Sequence, residues 1–133
     1  MRPFACDGIL IQNNKLLLIR RGKEPFKGEW ALPGGRINDH ETAEECLKRE
    51  MKEETGLEIE PITLVGIYSD PGRDPRRIIT AAYLVRLISG NAKGGDDAAE
   101  AKWFDLDALP PLCADHPKIV KDSIVIFNKC KIS

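Results

Sequence analysis

The apolar positions of the chain begin in two β-rich runs, residues 4–11 and 15–20, with the polar Gln12, Asn13 and Asn14 between them. Asparagine tolerates the positive φ that a tight turn demands, so the pattern predicts a β-hairpin. Residues 21–29 are polar, and Trp30, Ala31 and Leu32 then read as a short extended segment stopped by Pro33, Gly34 and Gly35. At Thr42 the period becomes helical. Thr42 and Glu45 have the Thr-x-x-Glu spacing of a capping box, and Gly56 is suited to end the helix at C′. Glu44 with Lys48 and Glu45 with Arg49 are i, i+4 pairs in the favourable order, which assigns them to a solvated flank.

Further along, residues 62–68 predict a strand, 69–77 a polar loop with two prolines and three arginines, and 78–87 the longest β-run. Residues 88–97 form a Gly-rich loop, 101–104 a short strand, and Leu109-Pro110-Pro111 a rigid turn. Ile119, Val120, Ile124 and Phe127 lie on one stripe of a last helix over residues 116–128. Strands in runs, with one central and one terminal helix, point to an α+β fold with a mixed sheet. There are too few strand–helix alternations for a doubly wound one.

A length of 133 residues with 42% hydrophobic content is enough for one domain, residues 1–133, with a real core. The net charge of -1 offers no basic field for nucleic acid. Cys6, Cys46, Cys113 and Cys130 are scattered without metal-ligand spacing and read as reduced thiols, Cys6 and Cys46 at positions that small buried hydrophobes would suit. The beginning of the chain lacks a signal-peptide pattern, and no stretch approaches the roughly 20 apolar residues of a membrane helix. A cytoplasmic location without membrane or nucleic-acid partners is the expectation.

The helix from Thr42 carries an anomaly. At about 100° per residue, Ala43, Cys46, Leu47 and Met51 share one side, and Glu50, Glu53 and Glu54 fall within the same arc. An apolar face that continues as a carboxylate face is not ordinary amphipathicity, because gathered carboxylates become protonated unless a cation or strong donors neutralise them. A divalent metal ion is a neutralising group that fits such a face.

These residues carry a resemblance. Gly35, Glu41, Arg49, Glu50, Met51, Glu53, Glu54, Gly56 and Leu57 match every fixed position of the Nudix box, so the chain resembles the Nudix hydrolase family. That resemblance implies an α/β/α sandwich with a central mixed β-sheet, dependence on Mg²⁺ or Mn²⁺, and hydrolysis of a nucleoside diphosphate linked to another moiety. It implies Glu50, Glu53 and Glu54 as metal ligands, a carbonyl of Gly34 or Gly35 beside them, Glu41 in support and Arg49 orienting the carboxylates. The general base is left between Glu53 and Glu100.

A narrower similarity concerns the substrate. Residues 68–76, 27–35 and 95–104 are similar to the prokaryotic ADP-ribose pyrophosphatases, which implies ADP-ribose plus water giving AMP and ribose 5-phosphate. Arg77-Ile78 replaces the Gly-His usual there, and Asn38 and His40 replace Glu and Gly. Arg73, Arg76 and Arg77 are candidate substrate contacts, set against a plain surface loop. Phe26 and Trp30 are candidates to stack a purine, set against hydrophobic filling. Asp96 and Asp97 read as turn formers, His40 and His116 as surface residues, and Tyr68 as core. Two alternatives remain: a MutT-like nucleoside triphosphate pyrophosphatase, and a non-catalytic nucleotide-binding regulatory module. A homodimer is left open.

Overall fold

In the computed structural model, which describes residues 1–92 and 98–130, the chain forms eight strands and two α-helices. They are β1 (Phe4–Ile9), β2 (Ile11–Gln12), β3 (Lys15–Arg21), β4 (Trp30–Ala31), β5 (Gly34–Arg36), α1 (Ala43–Thr55), β6 (Glu58–Tyr68), β7 (Ile79–Ser89), β8 (Ala98–Asp105) and α2 (His116–Cys130). One four-stranded sheet runs β5-β1-β7-β6. It is mixed, because β1 and β7 are parallel while its other pairs are antiparallel. A second sheet is built on β3, which pairs antiparallel with β2, β4 and β8. The expected α+β class with a mixed sheet is what the chain adopts.

Helix α1 starts where its cap predicts. Thr42 Oγ1 accepts from the Glu45 amide at 3.1 Å, and Glu45 Oε1 accepts from the Thr42 amide at 2.9 Å. Gly56 ends the helix at φ 78, a left-handed conformation open to glycine at little cost. Leu47 and Met51 are fully buried against the mixed sheet in a cluster with Cys6, Leu17, Ala81 and Tyr83. Each such side chain contributes roughly 1.5–3 kcal/mol of burial free energy, which fixes the helix that carries the carboxylates. A second cluster joins Ile9, Leu16, Leu18 and Leu84 to Ile119 and Val120 of α2. Tyr68 lies in that cluster, as its reading as core requires.

Three local readings change. β5 was not foreseen, because Gly34 and Gly35 lack the side chains by which a strand announces itself. β8 begins ahead of the strand expected over 101–104, so Glu100 stands within it, opposite Arg20. His116 is half-buried, its side chain 12% exposed, rather than at the surface, because it opens α2 beside Leu32, from whose N–H it accepts. Asp96 and Asp97 lie outside the described residues.

Candidate active site

Strand pairing decides which groups face α1. Gly8 N–H donates to Pro33 O and Ile37 N–H to Phe4 O, both at 2.9 Å. In the antiparallel alternation this makes Cys6 and Gly35, registered between them, a hydrogen-bonded pair. Gly34 is the adjacent, outward-turned residue, and its N–H donates to Glu54 Oε1 at 2.7 Å. N–H and C=O of one residue in an extended strand point the same way, so the Gly34 carbonyl also turns toward the α1 carboxylates. The Gly35 carbonyl instead belongs to the β1 ladder and accepts from Cys46 Sγ at 3.5 Å. Of the two carbonyls offered by the sequence, the geometry therefore turns Gly34's, not Gly35's, toward the helix. Gly35 has a different duty: a Cβ there would lie 2.2 Å from Glu50 Oε2, so its bare backbone is the seat of that carboxylate.

The three carboxylates are graded rather than uniformly buried. Glu54 lies nearly two turns after Leu47 and stays on its line, so it is buried, while Glu50 is half-buried. Glu53, another 100° round, is exposed. Burial pushes the Glu54 carboxyl up to about 8 despite the Gly34 hydrogen bond. Arg49 ties the group together. Its guanidinium donates to both oxygens of Glu41, to Glu50 Oε1 at 2.6 Å, to Glu53 Oε1 at 3.0 Å and to Arg36 O at 3.0 Å. These bonds raise the Arg49 pKa further, and they hold the Glu41 carboxyl down to about 2.

Facing these groups is a cleft of about 570 Å³ lined by Glu50, Glu54, Gly34, Arg21, Arg36 and Arg76, among others. A smaller cavity of about 70 Å³ continues inward past Gly34, where it meets Asp7, Arg73, Thr80 and His116. Burial pushes the Asp7 carboxyl up to about 7 and the His116 imidazole down to about 4. The His116 Nδ1 accepts from Leu32 N–H at 3.0 Å. The ring proton of the neutral imidazole is thereby assigned to Nε2.

The arginines of residues 69–77 have three different fates. Arg73 is buried, donating to both oxygens of Asp115, to Ile78 O and to Thr80 Oγ1. Arg76 lines the cleft, half-buried and braced by Asp74 at 2.7 Å. Arg77 is exposed at φ 60, and its carbonyl accepts from Arg2. Phe26 packs against the cluster of Ile19, Ala31 and Cys113. Trp30 packs edge-on against Phe104 with ring centroids 4.7 Å apart, under the Arg20 guanidinium. Glu100 pairs with Arg20 at 3.3 Å. Neither Trp30 nor Glu100 is among the residues lining the cleft. Arg21, Asp7 and His116 are the site residues that sequence reasoning missed, and their own segments hold no signal for them.

The chain matches the NUDIX domain family model over residues 1–123. It is 52% identical over 119 residues to an ADP-ribose pyrophosphatase of Methanocaldococcus jannaschii, covering 89% of this chain and 70% of that protein. It is 33% identical to the 8-oxo-dGDP phosphatase NUDT18 of Danio rerio, over 86% of this chain but 36% of the relative, so it spans about a third of that protein's length. Among solved structures, a MutT/nudix family protein from Enterococcus faecalis superposes with a TM-score of 0.87 at 31% identity, over 97% of this chain and 63% of that one.

Proposed function

This chain belongs to the NUDIX domain family and is a pyrophosphohydrolase; from that premise we propose that it hydrolyses ADP-ribose to AMP and ribose 5-phosphate with Mg²⁺ or Mn²⁺ bound. What carries the reading is that Glu50 and Glu54 of α1 line one cleft together with Arg21 and Arg76. A diphosphate bridged by a divalent ion needs both at once: hard oxygen donors for the cation and guanidinium groups for the phosphoryl oxygens.

The donor set fits such an ion. Among the described residues no three His, Cys, Asp or Glu side chains converge into a complete cage. Mg²⁺ keeps several waters and takes one or two carboxylates plus substrate phosphates, so a partial set is what it requires. Glu50 and Glu54 would hold it with the Gly34 carbonyl, and Glu53 would complete the set from the rim. When bound, the ion polarises a water and offsets charge building on the phosphoryl oxygens.

The remaining work belongs to the chain. Arg49 fixes Glu41, Glu50 and Glu53 in one arrangement, so their orientation is set before substrate arrives. Arg21 and Arg76 orient the diphosphate from the opposite wall. Glu53, exposed and within reach of solvent, accepts the proton of the attacking water; Glu100, paired with Arg20, is the weaker candidate. A nucleotide is the partner, and the location is the cytoplasm.

The test is a panel of ADP-ribose, 8-oxo-dGDP and nucleoside triphosphates with Mg²⁺, with products resolved by chromatography. AMP and ribose 5-phosphate in equal amounts, with ADP-ribose the preferred substrate, is expected. Preference for 8-oxo-dGDP or a triphosphate by about tenfold or more in kcat/KM would overturn the assignment.

A further inference from the structure

The inner cavity contains a carboxylate that the proposed hydrolysis does not use. Asp7 sits in the middle strands of the mixed sheet with its side chain 10% exposed. Its Oδ2 faces His116 Nε2 at 3.5 Å. Its Oδ1 has no hydrogen-bond partner among the described residues and, not being sealed from solvent, opens onto the cavity. A Cβ on residue 34 would lie 2.4 Å from Oδ1, so the carboxylate reaches the cavity only because Gly34 carries no side chain.

The groups around Asp7 limit what can enter. Arg73 is engaged by Asp115, Ile78 and Thr80, and Arg76 by Asp74. Arg21 and Arg36 then balance the two carboxylates Asp7 and Glu54, so the recess has no excess positive charge to draw in a second anion. The walls are too polar for an alkyl group. At about 70 Å³ the recess is small beside the cleft of about 570 Å³, so it suits hydroxyl groups at one end of a bound ligand rather than a whole nucleotide. Buried carboxylate oxygens need donors, and vicinal hydroxyls supply them in pairs.

We propose that Asp7 is a specificity residue that accepts hydrogen bonds from hydroxyl groups of the non-nucleoside moiety, selecting a sugar-linked diphosphate over one ending in an alkyl group. This rests on the reading of the cleft as a diphosphate site. His116 stands beside Asp7, with its Nδ1 fixed by Leu32 and its Nε2 3.5 Å from Oδ2.

The experiment compares wild type, Asp7→Asn and Asp7→Ala on ADP-ribose and on the butyl ester of ADP. The selectivity ratio in kcat/KM should fall about 10- to 100-fold in Asp7→Ala, and by less in Asp7→Asn, which keeps one acceptor. An unchanged ratio overturns the proposal, whatever the absolute rates. So does a weakened Mn²⁺ affinity, read by electron paramagnetic resonance, with no change in ratio, since Asp7 would then serve the cation. If wild type leaves both esters intact, the cleft reading itself has failed. The Asp7 proposal is then judged by calorimetry with ribose 5-phosphate: about tenfold weaker binding by Asp7→Asn upholds it, and equal binding overturns it.

Discussion

The two walls of the cleft are built in opposite ways. The helix wall comes from one stretch, Gly34 to Glu54, in which capping, apolar burial and carboxylate placement follow from a single helical repeat. The facing wall draws Arg21 from the end of β3 and Arg76 from the loop after β6, and the cavity behind it adds Asp7 from β1 and His116 from the start of α2. A local wall resists change because its parts are covalently spaced. An assembled wall depends on packing, and each of its residues can be replaced without rewriting the helix.

The sharpest way to break that contrast is at Glu54. Glu54→Gln should lower kcat about 10²- to 10³-fold with the circular dichroism unchanged, because Gln still accepts from Gly34 but cannot supply charge. Loss of fold instead would mean that the helix wall is structural first. Arg73→Ala should cost about 3–5 kcal/mol in denaturant unfolding, since it leaves Asp115 without its bidentate partner. A stable variant with only a raised KM would make Arg73 a substrate contact after all.

Arg76→Ala should raise KM about tenfold and alter kcat less, as expected for a phosphate contact on the facing wall. For the metal-free protein, Glu54 and Asp7 are raised, so the folded state binds more protons than the unfolded state across the window between their ordinary carboxylate values and about 7–8. Stability must then fall as pH rises. Between about pH 7.5 and 8, where His116 is almost wholly neutral in both states, the slope should be on the order of 1 kcal/mol per pH unit, and Mn²⁺ should flatten it. Thermal melts with and without Mn²⁺ measure this, and a rising apo curve would contradict the burial of these carboxyls. The smallest effect is expected at Arg77→Ala, within about 0.5 kcal/mol in stability and with unchanged kinetics.

How much was readable in advance follows the same division. Thr42, Glu45 and Gly56 marked the helix ends, and Leu47 with Met51 marked its buried face, because those signals repeat within a few residues. Glu50 and Glu54 could be placed from the same wheel. Glu53 shares the buried arc of the wheel yet is exposed, because the wheel gives direction but not the point at which the covering sheet ends. The fates of Arg73, Arg76 and Arg77 were unreadable. Only Asp115, Asp74 and the fold of the loop tell them apart, and Asp115 lies 42 residues from Arg73 in the chain. Asp7 looked like one polar position in a strand, since the Gly34 that exposes it joins it through sheet pairing alone.

Gly34 therefore sits where two histories meet. Its amide serves Glu54 on one side, and its missing side chain opens Asp7 on the other. Elsewhere in the facing wall a single replacement such as Arg76→Ala is expected to leave Glu50 and Glu54 where they are. At this residue no such replacement exists. Even a methyl group would meet Cys6 O at 2.1 Å and Asp7 Oδ1 at 2.4 Å, so a lineage could not trade one role for the other there and would lose both together.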